Sequence, residues 1–321
     1  MKKSTLFVLL LVAVFLFMTA CNPATKEPAA TDDPTSIPGV AEDQKVPSKD
    51  KFEKANDTDI DNIMSALSQM NIYTCDSGTS TGSHKYTFTI KKDAKIFDIS
   101  QGNERKVSGS ITEDFSSEST YEKTESGANK PYSKVTIYNG TVIIGDGDDK
   151  DVYVMSDFTV KIVPNENDPS GVTTYQGSLK LNGTELIDPN NTNSDSLNNY
   201  YNTIMPRIIY GDISEKEIDE DVYIMTFNFD SESTKGNLSI KIDKADPNNS
   251  YQVIMVNFSK LNGSSLTAKI VEYLTFDEKG MPTVTDVQIK YASLNGRYFT
   301  SDSLTNSEKF MNLLTSISQG K

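Results

Sequence analysis

The stretch Tyr223-Ile224-Met225-Thr226-Phe227-Asn228-Phe229 decides the fold class, because large apolar side chains occupy every second position from its first residue. Successive side chains of an extended chain point to opposite faces, so this spacing predicts a strand with one apolar face. The same period of two recurs at Tyr86, Phe88 and Ile90; at Val152, Val154, Phe158, Val160 and Ile162; and at Leu238, Ile240 and Ile242. One buried face and one polar face are typical of antiparallel sheets.

Four Asn-Gly pairs punctuate these alternating runs. Because both residues tolerate the positive φ angles of a tight type I′ turn, each pair predicts a β-hairpin. The pairs are Asn139-Gly140, Asn182-Gly183, Asn262-Gly263 and Asn295-Gly296.

Three segments show helical spacing instead, with apolar residues at i, i+3, i+4 and i+7. They are Ile60, Ile63, Met64 and Leu67; Leu197, Tyr200, Tyr201, Ile204 and Met205; and Phe310, Leu313, Leu314 and Ile317. We expect Pro206 to end the second helix. The predicted fold is therefore mainly β (α+β), a large twisted antiparallel sheet with about three helices.

Short matches in the same order suggest an internal repeat with halves at about 85–205 and 206–320. The matched pairs are 143–146 with 208–212, 149–155 with 219–225, 180–184 with 260–264, and 194–199 with 301–306. The growing offsets require insertions in the second half, and the change of apolar parity after Met155 requires a β-bulge. If the repeat is real, two strand-plus-helix halves form one pseudo-symmetric body.

The N-terminus has the pattern of an export signal. Two lysines precede an apolar block, Leu6–Met18, whose 13 residues make roughly 20 Å of helix and are too short to span a bilayer. The segment ends Met18-Thr19-Ala20-Cys21, which resembles the lipobox of bacterial lipoproteins. The resemblance implies that residues 1–20 are removed and that Cys21 carries the lipid, with fatty acyl chains such as palmitate. An ordinary secretory signal with a chance cysteine is the alternative.

Residues 21–55 are expected to be the lipidated cysteine and a disordered tether, and residues 56–321 a β-rich domain. The tether is rich in Pro, Ala, Thr and charged residues and has almost no large apolar ones, so it cannot bury enough surface to fold. These assignments predict a protein anchored to a membrane outside the cytoplasm, on the cell envelope.

Charge and cysteine content limit the partners. Removal of Lys2 and Lys3 with the signal changes the formal charge from −14 to −16, which disfavours nucleic acid as a partner. With Cys21 lipidated, no second cysteine is left for an intrachain disulfide with Cys75, so we expect Cys75 to be a buried thiol or a site of intermolecular pairing.

The inventory of reactive residues argues against most enzymes and cofactors. The single histidine, His84, is interpreted as a solvated strand-edge residue, and no nucleotide-binding or zinc motif occurs. The acidic run Asp146–Asp151 is interpreted as a solvated turn between strands, since it departs from the calcium-loop pattern. We therefore expect no catalytic residue, metal or cofactor.

The expected function is that of a non-enzymatic binding or structural lipoprotein, with a protein or an apolar small molecule as its partner. In one alternative, the protein carries or senses an apolar ligand such as a lipid in a concave sheet covered by helices. That alternative names Tyr200, Tyr201 and Ile204 as candidate ligand contacts, provided that they line a cavity and do not fill a core. A third hypothesis is an envelope hydrolase that uses two carboxylates.

Overall fold

The computed structural model describes residue 37 and residues 48–68, 75–98, 102–122, 133–165, 168–187, 195–246, 248–276 and 282–308. These residues form a 13-stranded antiparallel sheet with about three helices. The predicted fold class, mainly β with a large antiparallel sheet, is therefore confirmed. The predicted signal, the lipobox cysteine and the apolar stripe of the third helix lie outside the described residues.

Two meanders of strands make up the sheet. The first contains β1 (Ser77–Ile90), β2 (Lys95–Asp98), β3 (Asn103–Glu122), β4 (Ser133–Asp146), β5 (Asp149–Asn165), β6 (Asp168–Leu181) and β7 (Thr184–Glu185). The second contains β8 (Ser214–Asp230), β9 (Thr234–Asp243), β10 (Ser250–Leu261), β11 (Ser264–Phe276), β12 (Pro282–Leu294) and β13 (Arg297–Phe299).

The first long strand of each meander lies at the centre of the sheet. The strand order is β13-β12-β11-β10-β9-β8-β1-β3-β4-β5-β6-β7, with β2 paired to β3. β1 and β8 are antiparallel neighbours, and each meander proceeds outward from them to a very short last strand. This order is the one that a two-fold axis through the β1–β8 pair would produce.

Helices cover one face of the sheet, which we call the inner face. Helix α1 (Asp57–Ser68) follows a short 3-10 turn (Lys49–Lys51). In mid-chain, α2 (Asp195–Asn199) continues through a π-helical turn (Tyr200–Ile204) into α3 (Met205–Ile209); we call these three pieces the middle helix. Helix α4 (Ser301–Thr305) follows β13.

Two separate apolar clusters lie on the inner face. The middle helix buries Leu197 and Ile208 against strands of the first meander, in the N-terminal cluster. Helix α1 buries Ile60 and Ile63 against the second meander, in the C-terminal cluster, which also holds Leu304 of α4. Cys75 is only 4% exposed in the C-terminal cluster, which agrees with the expectation of a buried thiol.

Parts of the expected tether contact the folded domain. Ile37 is 2% exposed and packs against Val253, Met255 and Val271 on the outer face of the second meander. Glu53 forms a parallel bridge with Phe299, at the open side of β13. The guanidinium of Arg297 reinforces this edge, with Nη2 donating to Glu53 at 2.7 Å.

Three local expectations are corrected by the structure. Asn139-Gly140 is not a turn but lies inside β4, at a register shift against β5, whereas the other three Asn-Gly pairs do form hairpin turns. A bulge around Asp157, whose φ is +47°, falls just after Met155, where the sequence matches required one. It keeps Tyr153 and Met155 on the same buried face as Phe158 and Val160, so the prediction that Val152 and Val154 share a face with Phe158 is wrong. The middle helix continues past Pro206 to Ile209, because the residue that lacks an N–H follows directly on the change from the π-helical to the α-helical hydrogen-bond pattern at Met205.

The strand order supports two related halves but not the sequence matches that suggested them. Segments 149–155 and 219–225 lie on β5 and β8, which occupy different places in their meanders. Only the pair 194–199 and 301–306 is equivalent, since each segment follows the short last strand of its meander. Duplication stays a prediction.

The turns before β7 and β13 are equivalent in detail. Asn182 and Asn295 have φ values of +51° and +54°, and each is followed by glycine. The side-chain oxygen of Asn182 accepts from the backbone N–H of Val152 at 2.8 Å, and that of Asn295 accepts from Ser265 at 2.9 Å. In both cases the donor belongs to the strand two places inward from the last one.

We predict that Asn182→Ala and Asn295→Ala each lower the free energy of unfolding by about 1–2 kcal/mol, because alanine tolerates positive φ poorly and cannot accept the hydrogen bond. Urea titration of each variant is the measurement. Asn182→Gly and Asn295→Gly are the controls, since glycine keeps the backbone conformation and should cost about half as much. A full loss in one turn and none in the other would contradict their equivalence.

Candidate functional site

The candidate contacts on the middle helix lie in the N-terminal cluster. Tyr200 is fully buried, stacks on Tyr153 with ring centroids 4.4 Å apart, and donates to the sulfur of Met155 at 3.4 Å. Ile204 is buried in the same cluster, and Tyr201 packs edge-on against Phe158. These side chains therefore serve as packing residues of the core.

The junction between the two clusters is polar. The inner-face residues there that belong to neither cluster include His84, Glu113, Phe115 and Asp221. His84 lies on β1, opposite Phe115 of β3 and Asp221 of β8. We call His84, Glu113 and Asp221, with the adjoining rings of Tyr86 and Phe115, the central polar site.

His84 is therefore not a solvated strand-edge residue, and that interpretation is wrong. Its strand is in the middle of the sheet, and its side chain is only 15% exposed. The imidazole lies 2.8 Å from Glu113, measured between Nε2 and Oε1. The interpretation is wrong because the Gly-Ser-rich segment before His84 is typical of an edge strand, and the sequence does not show which strands flank β1.

Aromatic rings hold the imidazole on both sides. The His84 ring stacks on Tyr86 with centroids 4.2 Å apart and on Phe115 with centroids 4.5 Å apart. The Tyr86 hydroxyl donates to Oδ2 of Asp221 at 2.6 Å, which fixes that carboxyl beside the stack. The ring and the two carboxyls are therefore preorganised.

The surrounding tyrosines stay protonated, because burial raises their pKa values. Burial raises the pKa of Tyr86 far above its usual value, and Asp221 raises it further. Burial likewise raises the pKa of Tyr138, to which the carboxyl of Glu113 contributes through its charge and a hydrogen bond. The pKa of Tyr223 rises to about 12, mainly through burial and partly through Asp221.

Two polar atoms of the site have no partner. Nδ1 of His84 and Oδ1 of Asp221 are buried, and neither makes a hydrogen bond with any residue that the structure describes. Nearly all buried polar atoms in folded proteins are satisfied, because an unsatisfied one costs about 1–3 kcal/mol. Such a pair on adjacent strands is therefore a place where a bound molecule can supply the missing donors.

Two lysines contact residues of the central polar site. Lys216 Nζ lies 3.7 Å from the centroid of the Tyr86 ring. Lys244 donates its backbone N–H to the carbonyl of Asp221, and its Nζ lies 4.9 Å from the Phe276 ring centroid. Burial lowers the pKa of Lys244, while the charge of Asp221 partly offsets this effect.

The acidic run Asp146–Asp151 forms the β4–β5 turn, as expected, and also pairs with a buried arginine. Nη1 of Arg105 donates to Asp98 at 3.1 Å and to Asp151 at 2.7 Å, and Nη2 donates to the carbonyl of Asp149 at 2.9 Å. These carboxylates neutralise a buried cation, which gives the run a structural role.

Comparisons with known proteins do not identify the chain. No family model matches it, and neither curated proteins nor solved structures show a significant match. Within the described ranges, no three His, Cys, Asp or Glu side chains are grouped to hold a metal ion. No helix in that part of the chain has the length and apolarity to cross a membrane.

A second buried polar pair lies farther out on the inner face. Gln252 and Glu272 are directly opposite each other on β10 and β11 and are 1% and 2% exposed. Nε2 of Gln252 has no partner among the described residues. Burial raises the pKa of the Glu272 carboxyl from 4.5 to about 7.

We predict that Glu272 makes the protein less stable as the pH rises. Between about pH 4.5 and 7 the folded state keeps a proton that the unfolded state has released, so the free energy of unfolding falls by roughly 3 kcal/mol across this window. Glu272→Gln should remove this fall and be more stable than wild type near pH 8. Glu215→Gln, at an exposed position, is the control. Equal pH dependence of wild type and Glu272→Gln in urea titrations would contradict the assignment.

Proposed function

We propose that the protein is an exported, lipid-anchored binding protein of the bacterial cell envelope with no catalytic role, and that it holds its ligand at the central polar site. The observation that carries the binding function is the pair of buried acceptors, His84 Nδ1 and Asp221 Oδ1. The preorganised ring stack supports the proposal, because a rigid site loses little entropy when it binds.

The N-terminal sequence supports the anchor. A positive start, an apolar block too short to span a bilayer and the sequence Met18-Thr19-Ala20-Cys21 resemble a lipoprotein signal. More than one acyl chain on Cys21 would give stable attachment, at about 0.8 kcal/mol per buried methylene group. The strongly acidic composition argues for a partner other than nucleic acid.

The alternative of an apolar ligand under the middle helix gains no support from the packing. Tyr200 and Ile204 fill the N-terminal cluster, so a ligand there would have to displace core side chains. The part of the inner face between the two clusters is polar. These observations favour a polar ligand.

We predict that Cys21→Ala abolishes lipid attachment and that Cys75→Ala does not. These are the two cysteines of the chain, so they form a matched pair. Both variants and the wild type would be expressed in a bacterium fed an alkyne-tagged palmitate analogue and then partitioned in a cloud-point detergent. Label and detergent partitioning should be lost only in Cys21→Ala. Label that persists in Cys21→Ala would contradict the anchor.

A further inference from the structure

The hydrogen-bonding demand of the central polar site defines what can bind there. We assign His84 the neutral tautomer with its proton on Nε2, because the carboxylate of Glu113 lies 2.8 Å from that atom and can only accept; this assignment leaves Nδ1 as an acceptor. Oδ1 of Asp221 is also an acceptor, since Oδ2 already takes the Tyr86 hydroxyl. His84 and Asp221 are directly opposite in register, which places their β-carbons about 4.5–5.5 Å apart. Because both atoms are buried, a ligand reaches them only when a covering side chain moves aside, and it must then present two neighbouring donors.

The charge balance of the site favours a neutral ligand. Two carboxyl groups, those of Glu113 and Asp221, lie in the same part of the inner face as two lysines: Lys244, whose charge interacts with Asp221 and with Lys216, and Lys216, whose ammonium group lies over the Tyr86 ring. A strongly cationic ligand would be repelled by the lysines, and a strongly anionic one would be repelled by the carboxylates. Hydroxyl groups both donate and accept, so they can satisfy the two acceptors and also receive a hydrogen bond from an ammonium group.

Apolar surface lies beside these polar groups. Phe115 and Tyr223 are half-buried on strands next to β1, on the same inner face. A flat molecule with hydroxyls on its edge and C–H groups on its faces matches this combination of aromatic rings and acceptors. That description fits a sugar ring.

We propose that the central polar site binds a neutral, hydroxyl-rich ligand of the sugar class, whose hydroxyls donate to Nδ1 of His84 and Oδ1 of Asp221. The proposal rests on the binding function proposed above and adds the ligand class. The source is either a free saccharide or the exposed sugar of an envelope glycan.

Because His84 is the only histidine of the chain, its ring signals report on this site alone. The full-length protein would be labelled with ring-¹⁵N histidine and kept in a polyoxyethylene detergent, since a sugar-headed detergent would compete. The probes are glucose, galactose, N-acetylglucosamine and chitobiose, with soluble peptidoglycan fragments for the glycan source, each at up to about 20 mM. Argininamide and succinate are the charged comparison probes.

At least one sugar probe should shift the His84 Nδ1 resonance in a saturable way. Asp221→Asn keeps an oxygen that can accept from Tyr86 but removes the charged acceptor, so it should weaken binding about tenfold or more. Glu220→Gln removes one negative charge at the adjacent, exposed position and should bind as wild type does. Tighter binding of the peptidoglycan fragments than of free sugars would assign the source to the envelope glycan, and the reverse to a free saccharide.

Two results would overturn the proposal in distinguishable ways. If no sugar shifts the His84 signals but argininamide or succinate does, the ligand class is wrong and the binding function stands. If none of the probes shifts them, both the ligand class and the binding role of the site are rejected, while the lipid anchor is judged separately by the Cys21 labelling. Because the wild-type spectrum alone gives these outcomes, they do not depend on the folding of Asp221→Asn.

Discussion

The antiparallel pairing of β1 with β8 is the constraint on which the rest of the structure depends. It joins residues far apart in sequence, such as Ser77 and Asn228, which are 151 positions apart. Closing so long a loop costs chain entropy, which only the buried faces of both meanders can offset. Without this pair the described strands would form two separate sheets, each with an exposed edge.

The position of the central polar site follows from this pairing. Each meander has its own apolar cluster and its own helical cover, so the face between them is left to the strands that join the halves. β1 supplies His84, β8 supplies Asp221, and β3 supplies Glu113. A site built at such a seam has residues from both halves, as is common for ligand sites between structural units.

Local patterns in the sequence are sufficient to predict the strands and most of the turns. The alternation at Tyr223–Phe229 and three of the four Asn-Gly turns appear as predicted, because both depend on neighbouring residues alone. The strand order and the internal position of Asn139-Gly140 depend on pairing with distant strands, which no local period records. The first two predicted helices are present, while the expected stop at Pro206 is wrong because the helix changes there from the π-helical to the α-helical hydrogen-bond pattern.

The central polar site was missed for a reason that can be stated from its residues. His84 has the parity of Tyr86 and Phe88, and Asp221 has the parity of Tyr223 and Met225. A polar side chain on the apolar parity of a strand is therefore a signal of a buried polar group, and this signal was visible in the sequence. That the two residues face each other was not visible, because it requires the β1–β8 register.

Hydrogen exchange followed by mass spectrometry tests most directly whether the two meanders form one body joined at β1 and β8. Amides of β1 and β8 should exchange as slowly as those of β4 and β10, and all four strands should open together as urea is added. Exchange of one meander while the other stays protected, or rapid exchange of β1 under native conditions, would contradict the account.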